Sequence, residues 1–89
     1  MTSRTTERFR KALAALPEHV QERAGAAFRQ FQQDPTHPSL RFKLVHATRP
    51  IFSARVGLGY RALAVRDEQV YVWFWIGTHA DYDQLLKGL

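Results

Sequence analysis

The chain has 89 residues, 45% of them hydrophobic, which bounds it to a single domain, 1–89, with one modest core. Cysteine is absent, so disulfides, thiolate metal sites and cysteine nucleophiles are excluded. Thirteen Lys and Arg against eight Asp and Glu give a net charge of +5, and the stretch from Arg41 to Arg66 holds basic residues with no Asp or Glu among them. Such a block attracts RNA, DNA or an acidic protein segment, or is a solvated basic face.

Met1 to Arg10 lacks the apolar run of a secretory leader. No apolar run approaches the roughly 18 to 20 residues that span a bilayer. The expectation is a soluble, cytoplasmic protein with no membrane partner. In residues 5–16, Phe9, Leu13 and Leu16 fall on one stripe with Ala12 beside it, which predicts a helix capped by Thr5 or Thr6. Pro17 suits the first turn of a second helix, whose stripe is Val20, Ala24, Ala27, Phe28 and Phe31. That helix should stop near Gln33, because residues before Pro35 and Pro38 are pushed out of the helical region. The tight join at Leu16-Pro17 predicts an antiparallel helical hairpin.

The pattern then changes to strands. Leu40, Phe42 and Leu44 alternate with Arg41, Lys43 and Val45. Ile51–Val56 and Tyr60–Arg66 flank Gly57-Leu58-Gly59, a hairpin signal. Asp67-Glu68-Gln69 marks another turn. Val70–Ile76 is apolar on both faces, with Val70, Val72, Phe74 and Ile76 on one and Tyr71, Trp73 and Trp75 on the other. Residues 80–88 form a short last helix with Leu85 and Leu86 inward. The predicted fold is α+β: an N-terminal helical hairpin on one face of a small antiparallel β-sheet, then a short C-terminal helix. The other sheet face should be open, basic and aromatic.

Several chemistries are missing. Gly57-Leu58-Gly59 lacks the following helix that a phosphate loop needs. No His pair has metal-ligand spacing and no Ser sits in a nucleophile elbow, so neither a metal nor a cofactor is expected. RNA cleavage by side chains alone needs a base for the 2′-hydroxyl, cations for the phosphorus transition state and an acid for the 5′-oxygen. His79 follows the last strand after Gly77-Thr78, and histidine is the side-chain type suited to proton transfer near neutral pH; equally, Thr78 caps the last helix and His79 is a first-turn residue. Arg61 opens the third strand, with Arg55 across the hairpin as a second cation. Lys43, Arg49 and Tyr82 lie in the same half, and His46 reads as a structural histidine. Trp73 and Trp75 are stacking faces for bases or core aromatics. Asp81 and Asp83 suit the N-terminus of the last helix.

The segments Gly59-Tyr60-Arg61-Ala62-Leu63 and Trp75-Ile76-Gly77-Thr78-His79-Ala80-Asp81-Tyr82-Asp83-Gln84-Leu85-Leu86 resemble the C-terminal half of RelE/ParE-superfamily toxins. The Gly-Tyr-Arg step is similar to RelE, whose Arg contacts the scissile phosphate. The Gly-Thr-His step is similar to the YafQ-like branch, whose His is catalytic. The resemblance implies the toxin of a type II toxin–antitoxin system: a metal-independent endoribonuclease that cuts messenger RNA on the ribosome, restrained by a cognate antitoxin protein. It implies His79 as the acid–base residue, Arg61 and Arg55 on the phosphate, Tyr82 assisting, Trp75 by the bound base, and Lys43 and Arg49 along the RNA. The sequence also departs from the pattern. Met1–Arg4 shows no alternating apolar run for the usual first strand, and Arg55 replaces the family's Lys only if the turn is one residue shorter. The additional His and Asp of a YafQ-like site are not apparent. Alternatives are a ParE-like toxin that binds gyrase without catalysis, and a non-toxic interaction module with the same fold.

Overall fold

A computed structural model describes residues 2–89. Strand β1 (Thr2–Thr5) leads into helix α1 (Glu7–Ala14), and helix α2 (Glu18–Gln33) follows after a short join. Strands β2 (Lys43–His46), β3 (Ile51–Val56), β4 (Tyr60–Asp67) and β5 (Val70–Thr78) come next, and helix α3 (His79–Lys87) ends the chain. The sheet order is β1-β5-β4-β3-β2. Neighbours from β2 to β5 are antiparallel, as expected, while β1 runs parallel to β5 with Thr2 opposite Val70 and Thr5 opposite Trp73. The sheet is therefore mixed, and the strand absent from the apolar pattern does exist. It is an edge strand held by its backbone ladder, so its polar side chains give no period-two signal.

The local chemistry explains the boundaries. Thr6, not Thr5, caps α1, its Oγ1 accepting the Phe9 N–H at 3.0 Å. Pro17 stands one residue before α2 with extended ψ rather than inside its first turn. Asp34 stops α2 in an extended conformation ahead of Pro35. The strand expected from Leu40 starts only at Lys43, because Pro38–Leu40 form a 3-10 turn and Arg41 takes a left-handed φ of 43°. That turn buries Leu40 in the core.

The main core lies between α1, α2 and one sheet face. Phe31 of α2 is its hub, packing edge-on to Phe42, Tyr71 and Trp73 with ring centroids 4.9 to 5.5 Å apart. Edge-to-face aromatic pairs of this kind add about 0.5–1.5 kcal/mol each beyond simple burial. Trp73 is a core residue, and so is Ile76, which strict alternation places on the opposite face. The cause is a bulge: Leu63 pairs with Trp75 and Ala64 with Trp73, so Phe74 has no partner and the alternation shifts by one. Trp73 and Trp75 consequently face opposite sides of the sheet.

The second face is less open than expected. α3 lies on it, and Tyr82 packs with Ile51 and Leu63, flanked by Phe74, Trp75, Leu85 and Leu86. Leu85 and Leu86 dock inward as their spacing predicts. The end of this face near the β3–β4 turn and the start of α3 brings Arg55, Arg61 and His79 together.

Candidate active site at the start of helix α3

The β3–β4 hairpin sets the cations in register. Arg55 lies directly opposite Arg61, and Arg61 lies opposite Gly77 on β5. The three-residue connection between Val56 and Tyr60 creates this pairing, and Gly57 supplies the positive φ of 64° that the turn requires. Cross-strand partners share a face, so both guanidinium stems start on the side that carries α3.

Arg61 is 8% exposed. Its Nε and Nη1 are buried with no hydrogen-bond partner, and among the described residues no carboxylate pairs with it. Its guanidinium carbon lies 5.5 Å from the centroid of the Tyr82 ring. Tyr82 is itself buried, and its hydroxyl is also without a partner. A buried cation unsupported by a carboxylate is costly in a fold, and such groups concentrate where an anion is to be bound. The fully buried Ser53 hydroxyl is a third unpartnered polar group on this face, in register with Leu63 and Lys43.

His79 opens α3. Thr78 caps the helix, its Oγ1 accepting the Asp81 N–H at 3.1 Å, so the two readings of Thr78-His79 are compatible. The His79 N–H donates to the Gly59 carbonyl at 2.9 Å, which ties α3 to the turn that carries the arginines. The His79 ring sits 5.6 Å from Tyr82, edge to face, and its Nδ1 lies 3.2 Å from Asp83 Oδ2. Both partners of that contact are about half exposed, so it orients the imidazole more than it stabilises the fold. The result is a chain of contacts, Asp83–His79–Tyr82–Arg61, with Arg55 across the strand. Nδ1 engaged by Asp83 leaves Nε2 free to accept or donate a proton.

The other sequence-derived residues divide. Lys43 is exposed on edge strand β2, opposite Ser53. Trp75 lies against Gly77, its ring within 2.7 Å of where a Cβ would stand, and so borders Arg61's partner position. Arg49 is not brought in: it sits in the β2–β3 turn at the far end of β3 from Arg55, roughly 20 Å away at ~3.3 Å per strand residue. His46 is engaged with Thr48 at 3.1 Å, in keeping with a structural role. Asp83 was legible only as a helix-terminus residue, although its spacing of four from His79 is the signal for a contact along a helix. Arg55 donates its Nε to the Gly57 carbonyl at 3.0 Å. No group of three or more His, Cys, Asp or Glu suited to a metal occurs among the described residues. Between α1, α2 and the sheet lies a separate cavity of about 240 Å³, but its lining, including Phe9, Leu13, Phe28 and Trp73, contains no titratable side chain.

Residues 18–84 match the ParE-like toxin domain. The fold is similar to RelE in the RelB–RelE antitoxin–toxin complex from Methanococcus jannaschii, with a TM-score of 0.73 at 16% identity over 92% of this chain and 96% of that one. It is similar to the archaeal RelE–RelB complex from Pyrococcus horikoshii, with a TM-score of 0.71 at 17% identity over 86% and 92%. It is also similar to YafQ from E. coli, with a TM-score of 0.70 at 9% identity over 90% and 94%. No curated protein matches the sequence. No helix among the described residues is long and apolar enough to cross a membrane.

Proposed function

The chain belongs to the ParE-like toxin domain family, within the RelE/ParE superfamily, and from that premise we propose that it is the toxin of a toxin–antitoxin pair and a messenger-RNA endoribonuclease acting on the ribosome. The observation that carries this reading is the buried, unpartnered Arg61, stacked on Tyr82 beside the His79–Asp83 pair. The chemistry follows from the side chains. His79 Nε2 takes the proton of a 2′-hydroxyl, and that oxygen attacks the adjacent phosphorus. Arg61 balances the charge that builds on the phosphoryl oxygens, and Arg55, across the strand, adds to the positive field beside it. The bond to the 5′-oxygen breaks, and the imidazolium returns a proton to it, leaving a cyclic phosphate and a 5′-hydroxyl. Asp83 holds the imidazole through its Nδ1. Tyr82 acts through Arg61, whose guanidinium lies over its ring. Trp75 and Lys43 border the face and contact the RNA.

Two of the structural relatives are RelE–RelB complexes, which supports a cognate antitoxin as a partner of this chain. The second reading, a ParE-like toxin that binds gyrase without catalysis, is favoured by the matched domain itself. Induced expression with mapping of transcript 5′ ends separates the two. New codon-aligned cuts, abolished in His79→Ala, are expected. Growth arrest with intact transcripts and DNA damage, unchanged in His79→Ala, would refute the nuclease.

A further inference from the structure

A second hollow, about 410 Å³, opens between α2 and the β3–β4 turn. Its wall includes Arg23, Gln30, Ser39, Arg55, Gly57 and Leu58, and no lining residue is acidic. One glycine fixes both arginines at its mouth. The Arg23 stem lies flat across Gly57, where a Cβ would stand 2.8 Å from Arg23 Cδ. Arg55 donates its Nε to the Gly57 carbonyl. Among the described residues neither guanidinium forms an ion pair. Arg55 is also the cross-strand partner of Arg61, so the hollow lies around the edge of β3 from the site described above, on the side that carries α2.

Two unpaired guanidiniums facing one hollow, with neutral polar groups from Gln30 and Ser39, suit the oxygens of a phosphate. Their stems are already held by packing and by a hydrogen bond, so little freedom is lost when an anion arrives. The Arg55 stem starts on the Arg61 face and its guanidinium lines the hollow, so a backbone that rounds the edge of β3 would meet both. We propose that the Arg23–Arg55 hollow binds a backbone phosphate of RNA flanking the cleaved position. This rests on the reading that the Arg61 face meets RNA. Arg23 was invisible as a site residue in the sequence, because it lies on the helical half, outside the Arg41–Arg66 block.

The test is binding of a fluorescent single-stranded RNA oligonucleotide to the full chain across a salt series, for wild type, Arg23→Ala and Arg23→Lys. Circular dichroism melting shows that the variants fold. Arg23→Ala should weaken binding about three- to tenfold and reduce the slope of log affinity against log salt by about 0.7, the value for one single-strand phosphate contact. Arg23→Lys should keep the slope, since it keeps the charge, and lose part of the affinity. Unchanged affinity and slope in a folded Arg23→Ala would overturn the proposal. So would a loss confined to an acidic polyglutamate peptide, which would assign the hollow to a protein partner. A wild type that binds RNA through Arg23 yet cuts nothing would support this site and refute the nuclease. Cleavage by the wild type with RNA binding indifferent to Arg23 would do the reverse.

Discussion

Arg61→Met removes the guanidinium while keeping an unbranched stem of similar length, and its effects on stability and on cleavage should point in opposite directions. Arg61 is 8% exposed and has two buried donors without partners. A buried donor left unsatisfied costs about 1–3 kcal/mol, and charge increases the figure, so the two together cost at least about 2 kcal/mol. The ring of Tyr82 at 5.5 Å returns about 1 kcal/mol as a cation–π contact. Met keeps the apolar contact with that ring. The net expectation is a gain of about 1 kcal/mol, which for a domain of this size raises the melting temperature by about 4–8 °C. Cleavage should fall about 10²- to 10³-fold, the cost of removing one positioned donor to a transition-state oxygen. The assays are thermal unfolding followed by circular dichroism and single-turnover cleavage on programmed ribosomes. A variant that melts several degrees lower would refute the reasoning, because Arg61 would then be anchoring the fold and not waiting for an anion.

The other expected outcomes are smaller. Asp83→Ala should slow cleavage about two- to fivefold, the worth of an exposed pair of up to ~1 kcal/mol, and nitrogen-15 spectra of the His79 ring should lose their preference for a proton on Nδ1; an unchanged tautomer would remove Asp83 from the site. Gly77→Ala places a Cβ 2.7 Å from the Trp75 ring. The crowding should cost about 1–3 kcal/mol and shift tryptophan fluorescence, and an unaltered melting curve would show that the ring gives way freely. Asp34 accepts hydrogen bonds from the Thr36 hydroxyl and the Thr36 N–H, which hold its carboxyl below the ordinary 3.8, with His37 adding a smaller pull. A lowered folded value means that the carboxylate's contribution is fully present above the ordinary value and fades as pH falls through the lowered one. Carboxyl titration by NMR should give a midpoint under 3.8, and a midpoint above it would dismiss this turn as the cause.

What the sequence reveals depends on what holds each element in place. α1 and α2 are held by apolar stripes, and Phe9, Val20 and Phe31 are buried as their spacing requires. The β3–β4 hairpin is set by its glycine turn, so the pairing of Arg55 with Arg61 follows from local chemistry. β1 is held by backbone bonds to β5 and leaves no mark on its polar side chains. The bulge at Phe74 is equally silent, because a strand apolar on both faces reads the same in either register. That one bulge decides which tryptophan enters the core and which borders Arg61. In the candidate site, the residues proposed to act are legible by type and by strand position. Their exposure is not, since the burial of Tyr82 and Arg61 depends on where α3 lies.

Gly77-Thr78-His79 shows how structural and chemical demands divide a short motif. Gly77 has no side chain because the Trp75 ring occupies that place, and it pairs with Arg61 across the strands. Thr78 accepts the Asp81 N–H and so fixes where α3 begins. His79 is thereby the first helical residue, anchored to the Gly59 carbonyl and turned toward Asp83 and Tyr82. On the proposed reading only the last of the three carries chemistry. The other two determine that an imidazole on a helix and a guanidinium on a strand meet the same tyrosine. A strand–cap–helix junction is more rigid than a loop, and acid–base catalysis gains from rigidity because a displacement of about 1 Å can cost ~10²-fold in rate. Substitution at Thr78 should therefore reduce cleavage by displacing His79 even with every reacting group intact. Thr78→Ser, which keeps the capping oxygen, should restore what Thr78→Ala loses.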